Sequence, residues 1–317
     1  MEKLGDPEVL QLKDVPIPAA GPRQVLVRQK AVGINFIDIY RRTGLYPMTL
    51  PVVPGTEGAG IVEAVGAEVR GIAAGDRVAY VDALGAYAEA AVVAADRVVR
   101  IPNPMGFEDA AAAMLQGMTA HYLALDTYGI KKGDTVLIHA GAGGVGLLLV
   151  QIARMRGARV LATVSTPEKA ELARGAGADE TILYTREDFV PAVKRITGGR
   201  GVQAVYDSVG KDTFLGSLDC LAPRGVMVSF GQSSGKVAAI EPSILSAKGS
   251  LFLTRPTLGH YIADAMELSR RAGEVFNWIA KGSLRLRIGA RFPLAQAAEA
   301  HRLLESRTTS GKVLLIP

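Results

Sequence analysis

Three glycines carry the clearest chemistry in this sequence. Gly141, Gly143 and Gly146 follow the apolar run Val136-Leu137-Ile138 and precede the helical pattern Val145 to Met155, giving G-x-G-x-x-G between a strand and a helix. In that setting one glycine permits the tight turn, one lets the backbone approach a pyrophosphate, and one lets the helix lie close to the sheet. Gly144 and Val145 stand at the helix start, where free N–H groups and the positive end of the dipole attract phosphate. The spacing predicts a dinucleotide site. About 20 residues further on, a site for NAD would carry an acid for the ribose hydroxyls. This chain has Ser165 there, with Lys169 in the helix that follows. A small polar residue leaves room for a 2′-phosphate and a lysine neutralises it, so NADPH is the expected cofactor. Glu168 could take a ribose hydroxyl, but Thr166-Pro167-Glu168 also reads as a helix cap, a first-turn proline and an acid favoured by the dipole, and that structural role is preferred. Tyr184, ending the third strand, suits stacking on adenine and packing in the core equally.

Other reactive side chains are sparse. Cys220 is the single cysteine, so no internal disulfide forms, and it reads as inert core. The histidines at 121, 139, 260 and 301 include no pair with metal-ligand spacing. His139 is expected to be a buried, hydrogen-bonded core residue, and the other three are expected on helices or the surface. No Ser or Cys lies in a motif that supplies a base, so no covalent nucleophile is expected.

The elements that must position these residues follow from periodicity. Short β segments are expected at Gln24–Lys30, Gly58–Val65, Arg77–Val81, Ala86–Ala94 and Arg97–Ile101, separated by Gly and Pro. Helices are expected at Phe107–Met114 and Gly117–Tyr128. From Thr135 to Leu253 short apolar strands alternate with helices, the signature of a parallel, doubly wound sheet. A helix near Ala263–Lys281, a strand near Leu284–Ile288, a helix at Leu294–Glu305 and a strand at Lys312–Ile316 complete the chain. The expected organisation is a β-rich domain, 1–114 and 258–317, interrupted by a dinucleotide-binding α/β domain, 115–257. The strand at Ser250–Leu253 is a candidate sheet edge.

Composition sets the outer limits. The 317 residues carry 36 Lys and Arg against 31 Asp and Glu, with 49% hydrophobic residues, which excludes a mainly disordered chain. The basic residues are scattered, in pairs such as Arg41-Arg42 that read as solvated surface, which argues against a nucleic-acid partner. No apolar run is long enough to span a membrane, and the start through Pro7 has no apolar core for a signal peptide, so the cytoplasm is the expected compartment.

The glycine loop in the form Ala140-x-x-Gly143-x-x-Gly146 occurs with Gly33-Ile34-Asn35-Phe36-Ile37-Asp38, Pro54-Gly55-Thr56-Glu57-Gly58-Ala59-Gly60 and Asp207-Ser208-Val209-Gly210. Ser229-Phe230-Gly231, Thr254-Arg255-Pro256 and Glu305-Ser306-Arg307 complete the set. Over nearly its whole length the chain resembles the zinc-free, zeta-crystallin-like NADPH:quinone oxidoreductases of the medium-chain dehydrogenase/reductase superfamily. The resemblance implies a Rossmann domain inserted in a discontinuous GroES-like catalytic domain. Members usually begin with a strand ahead of the Pro7-Glu8-Val9-Leu10 segment, and here Met1 precedes it by a few residues. A missing strand would leave an unpaired sheet edge.

The resemblance also implies roles. Zinc-containing relatives hold the catalytic ion with Cys, His and Cys; the matching positions here are Asn35, Thr56 and the neighbourhood of Leu115, so no metal is expected. Reduction of a quinone fits such a site, because the hydroquinone anion is delocalised and positioning supplies most of the catalysis. Asn35, Tyr40 and Tyr46 would line the nicotinamide side and act on substrate, with packing as the competing role of the tyrosines. Asp38 and Glu57 read as structural. Thr119 would hold the nicotinamide ribose or amide, Ser208, Phe230 and Gly231 would meet the cofactor, Phe252, Leu253 and Thr254 would contact the carboxamide, and Lys312 would approach the phosphates. A homodimer through the Rossmann-domain edge strand is expected. The competing activities are reduction of an activated C=C bond in an enal or enone, and a nucleic-acid-binding or structural role.

Overall fold

The strand Gln24–Ile34 (β1) is buried along most of its length because it lies inside a sheet with partners on both sides. It belongs to a computed structural model that describes residues 1–317. The chain divides into two compact units, Met1–Met118 with Ile262–Pro317, and Thr119–Tyr261.

In the first unit β1 is followed by α1 (Phe36–Arg42), β2 (Glu57–Val65), β3 (Arg77–Val81), β4 (Ala90–Ala94), β5 (Val98–Arg100) and α2 (Phe107–Tyr122), whose residues from Thr119 on are counted with the second unit. The second unit carries β6 (Thr135–Ile138), α3 (Gly144–Met155), β7 (Arg159–Val164), α4 (Pro167–Ala176), β8 (Glu180–Leu183) and α5 (Phe189–Thr197). It continues with β9 (Val202–Asp207), α6 (Phe214–Asp219), β10 (Leu221–Ser229), α7 (Ser243–Ala247), β11 (Phe252–Thr254) and α8 (Leu258–Tyr261). The chain then returns to the first unit with α9 (Ala265–Ala280), β12 (Ile288–Pro293), α10 (Ala297–Glu305) and β13 (Lys312–Ile316).

The sheet of the first unit runs β12-β13-β1-β2-β3-β5, with β4 also paired to β1. Its pairings are antiparallel except β12 with β13. Val25, Val27, Val62, Val78, Val93 and Leu315 fill the core beneath it, each such side chain contributing about 1.5–3 kcal/mol by leaving water. In the second unit every pairing of the order β11-β10-β9-β6-β7-β8 is parallel. This is the strand order of a doubly wound dinucleotide fold, with β11 at one edge. The α/β class, with a mixed β-rich sheet and a separate parallel sheet, is thus the one expected from sequence.

Local expectations fail at four places. The helices expected on either side of Leu115-Gln116 are one helix, α2, which runs on as a π-helical turn at Leu123–Thr127. It is continuous through Leu115, whose amide also donates to the Glu57 carboxylate. The strand expected at Leu284–Ile288 is instead β12, held by parallel register from Ile288 against Lys312 to Pro293 against Ile316. Leu284 is buried just past α9, its amide bonded to Trp278 O, so its hydrophobicity reflects packing below a helix end. Only Ala90–Ala94 of the expected Ala86–Ala94 strand forms, because Ala86 and Glu89 lend their carbonyls to Gln29. Arg42 is fully buried, where solvent was expected for the arginine pair, while His121 on α2 and His301 on α10 lie on helices as expected and are buried there.

Candidate active site

The nucleotide loop of the second unit is built by close approach. A Cβ on Gly146 would stand 2.2 Å from the Ala140 carbonyl oxygen, and one on Gly141 would stand 2.6 Å from the Ala162 Cβ on β7. The left-handed turn itself is made by Ala140, at φ 52°, so strain is stored beside the glycines. Gly143 caps α3 with no side chain to contribute, and the first-turn N–H groups of that helix, at Gly144 and Val145, have no intrahelical acceptor. These features fit a pyrophosphate: an uncapped helix start and a backbone that no Cβ covers.

At the end of β7, Ser165 is partly buried, and its carbonyl accepts from Thr185 Oγ1 at 2.9 Å. Lys169, in the first turn of α4, is half-buried and its pKa is lowered by burial. Thr166 accepts from the Lys169 amide at 3.3 Å, and Glu168 is exposed, its pKa lowered mainly by its hydrogen bond with Thr166. That is the capping role preferred for Thr166 and Glu168. Tyr184 is 49% exposed, so packing in the core is set aside as its role.

The ends of the later strands meet. A Cβ on Gly231 would lie 2.6 Å from Ser208 O, and Arg255 donates to Ser229 O at 2.9 Å and Gly231 O at 3.0 Å. Phe230 is partly buried beside them. Beneath lies a closed polar chain. Thr163 Oγ1 bonds His139 Nδ1 at 3.0 Å, His139 Nε2 bonds Ser217 Oγ at 2.9 Å, and Ser217 donates to Asp207 Oδ2 at 2.9 Å. Asp207 Oδ1 accepts from the Val209 and Gly210 amides. His139 is buried as expected, its pKa lowered by desolvation. Phe252 and Leu253 project from the edge strand β11 at 62% and 38% exposure, and Thr254 is partly buried. Thr119 is buried on α2. Cys220 is buried, its thiol pushed up to about 12.

In the first unit the chemistry gathers on Asn35. Its Nδ2 donates to Glu57 Oε2 at 2.8 Å, and its Oδ1 accepts from Lys312 Nζ at 2.8 Å and Gln116 Nε2 at 3.5 Å. Lys312 and Glu57 also form a buried ion pair with each other. With both lone pairs of Oδ1 engaged, the second Nδ2 hydrogen is what the amide has left to offer. Gly33 permits this approach, since a Cβ there would lie 2.0 Å from Glu57 Oε2 and 2.7 Å from Lys312 Nζ. Lys312, expected near the cofactor phosphates, is instead spent on Glu57 and Asn35. A buried carboxylate needs a partner, and it takes the ammonium that β13 carries into the core.

A second chain starts one turn away. Asp38 Oδ2 accepts from the Asn35 amide at 2.9 Å and from Tyr87 Oη at 3.2 Å, and Tyr87 Oη bonds His301 Nε2 at 2.9 Å. Burial raises the Asp38 carboxyl to about 6, against the opposing pull of the Asn35 N–H and Lys312. Burial, helped by Arg42, lowers His301 to about 3. Arg42 is paired to Glu305. Asp38 Oδ1, Arg41 Nη1, Arg42 Nε and Nη1, and His301 Nδ1 are buried without a partner. Both carboxylates thus have the structural positions expected of them. Tyr40 is 9% exposed, and its ring meets Tyr46 edge-on at 5.3 Å. Tyr46 is partly exposed.

Gln116, Tyr87, His301 and the Glu57–Lys312 pairing escape sequence reasoning. The partners in that pair are 255 positions apart, and no local pattern links them. No group of three or more His, Cys, Asp or Glu side chains is gathered where it could hold a metal ion.

Comparison with known proteins agrees with this architecture. Residues 21–103 match the alcohol dehydrogenase GroES-like domain and residues 144–271 match the zinc-binding dehydrogenase family. The chain is 51% identical to quinone oxidoreductase of Pseudomonas aeruginosa over 99% of this chain and 97% of that protein. It is 48% identical to quinone oxidoreductase 1 of Escherichia coli over 99% and 98%. The crystal structure of the Escherichia coli quinone oxidoreductase complexed with NADPH superposes with a TM-score of 0.98, covering 100% of this chain and 98% of that one. Identity of this order along the entire chain, over both units, makes the protein a member of the quinone oxidoreductase branch of the medium-chain dehydrogenase/reductase superfamily.

Proposed function

We propose that this chain reduces quinones with NADPH. The observation that carries the reading is the nucleotide loop followed by Ser165 and Lys169, where an acid would select NAD. The name and bound cofactor of the Escherichia coli relative support it. When bound, NADPH supplies the hydride. Gly141, Gly143, Gly144, Val145 and Gly146 would hold its pyrophosphate, and Ser165 and Lys169 its 2′-phosphate. Tyr184 offers an exposed ring face to adenine, while Ser208, Phe230 and Gly231 border the nucleotide at the strand ends. Thr119 and the Phe252-Leu253-Thr254 backbone would orient the nicotinamide. The β-rich unit is accordingly the catalytic domain and Thr119–Tyr261 the nucleotide domain.

In the catalytic domain, Asn35 would donate its remaining Nδ2 hydrogen from an amide that Lys312, Glu57 and Gln116 hold in one orientation. The partly exposed phenol of Tyr46 would donate to a quinone oxygen, and Tyr40 would set the Tyr46 ring by its edge-on contact. The hydroquinone anion is weakly basic and delocalised, so orientation is the main demand on the protein. The test is Lys169→Ala: quinone-dependent oxidation of NADPH should lose tenfold or more in kcat/KM while oxidation of NADH changes little. An unchanged preference for NADPH removes Lys169 from the 2′-phosphate site.

The exposed edge strand β11 also supports a homodimer that pairs β11 across a two-fold axis. Light scattering should give twice the monomer mass, and a monomer that persists on Phe252→Lys alone would agree with it, whereas a monomeric wild type would not. No helix is long and apolar enough to cross a membrane, which is compatible with a cytoplasmic location.

A further inference from the structure

The strained residue at the start of the nucleotide loop is held at both ends. Ala140, in the left-handed region at φ 52°, accepts from the Gly143 amide at 2.8 Å, and its own amide donates to Thr163 Oγ1 at 3.4 Å. The next amide, Gly141, donates to the Thr163 carbonyl at 3.0 Å. One residue of β7 therefore grips two consecutive loop amides, the first by its side chain and the second by its backbone. A left-handed residue other than glycine persists only where its surroundings hold it.

The direction of the hydrogen bonds behind Thr163 is set at their far end. Asp207, buried at the end of β9, accepts from the Val209 and Gly210 amides on Oδ1, at 2.7 and 3.0 Å. Its Oδ2 accepts from the Thr213 and Ser217 hydroxyls, at 2.7 and 2.9 Å. A carboxylate ringed by donors on both oxygens acts only as an acceptor. Ser217 thus spends its single proton on Asp207 and meets His139 Nε2, at 2.9 Å, with a lone pair. Nε2 is then the nitrogen that carries the hydrogen, and in a neutral imidazole Nδ1 is an acceptor. Desolvation, which lowers the His139 pKa, favours that neutral ring. Nδ1 takes the Thr163 hydroxyl proton at 3.0 Å, which leaves a Thr163 lone pair for the Ala140 amide.

We propose that Asp207, Ser217, His139 and Thr163 form a one-way chain of hydrogen bonds, with the His139 proton on Nε2, that fixes the Ala140 turn and so aims the loop N–H groups at the cofactor phosphates. His139 and Thr163 are positioning residues, acting on the nucleotide through Ala140. The inference rests on the reading of the loop as the NADPH pyrophosphate site. With the proton on Nδ1, Thr163 would accept from both the ring and Ala140, and its own proton would lose its acceptor.

Heteronuclear NMR of histidine-labelled protein reads which ring nitrogen carries the proton, the four histidines being assigned by replacing each in turn with glutamine. Calorimetric titration of NADPH compares wild type with Thr163→Val and Thr163→Ser. The expected results are a proton on Nε2, and a Kd raised about tenfold in Thr163→Val, the loss of one buried hydrogen bond. Thr163→Ser, which keeps the hydroxyl, should bind like wild type. A merely structural Thr163 would lower the urea midpoint of Thr163→Val and leave its Kd unchanged, which overturns the proposal. A proton on Nδ1 also overturns it. Should Thr163→Val fail to fold, Asp207→Asn decides: its amide N–H turns the Ser217 proton toward Nε2, so the ring proton should move to Nδ1, and a proton that stays on Nε2 rejects the chain. Wild type that binds no NADPH would fail the cofactor reading and this proposal together, whereas equal binding by wild type and Thr163→Val fails this proposal alone.

Discussion

Each unit buries a polar network, and the two are satisfied to different degrees. Under the nucleotide loop, Thr163, His139, Ser217 and Asp207 form a chain in which every link has a partner at 2.9–3.0 Å. Around Asn35 and Asp38, the other network holds an ion pair, a carboxyl raised to about 6, a histidine lowered to about 3, and five buried atoms without partners. The first is a scaffold that fixes strand ends. The second keeps charge and unused hydrogen-bonding capacity in the core, which costs stability and holds the Asn35 amide in one orientation.

The largest expected effect tests that difference directly. Lys312→Met leaves the buried Glu57 uncompensated and should cost about 3–5 kcal/mol in urea unfolding. Adding Glu57→Leu should recover much of that stability. Turnover should stay low in both variants, because the Asn35 amide loses its fixed orientation. A single variant as stable as wild type would mean that the pair is not the centre of the network.

Next comes pH. The unfolded Asp38 titrates near 3.8 and the folded one near 6, so its contribution is fully present below about 3.8 and is lost as pH rises through 6. The unfolded His301 titrates near 6.5 and the folded one near 3, so its contribution is present above 6.5 and is lost as pH falls toward 3. Between pH 4 and 6 the two oppose each other. Asp38→Asn removes one side, so that variant should lose roughly 3 kcal/mol between pH 7 and pH 4, clearly more than wild type. Parallel pH profiles of urea midpoints would break the assignment.

The smallest effect belongs to the scaffold. Ser217→Ala withdraws one link between His139 and Asp207 and should cost about 1–2 kcal/mol. The loss should be the same at pH 7 and pH 8, since the desolvated His139 is neutral at both. A marked slope over that interval would erase the distinction between the networks.

The two units also differ in how far sequence reveals them. The nucleotide loop is legible because its residues are contiguous and each has a local geometric reason to be glycine. The capping triplet at Thr166 is legible for the same reason. The Asn35 network is not: it joins β1, β2, α2 and β13, and Lys312, expected near the cofactor phosphates, meets Glu57 only because β13 lies beside β1. The Arg41-Arg42 pair likewise reads as solvated, although one member is buried against Glu305 and the other lines a cavity.

By itself the sequence determined the α/β class, the dinucleotide loop and the elements that carry it, because these depend on short-range periodicity and on where a Cβ can be tolerated. The tertiary structure alone decided which charge meets which. It paired Lys312 with Glu57, linked His301 to Asp38 through Tyr87, and left Arg41 Nη1 without a partner. The physical reason is that a buried charge is satisfied by whatever group lies within hydrogen-bond reach, and only the folded chain sets that reach.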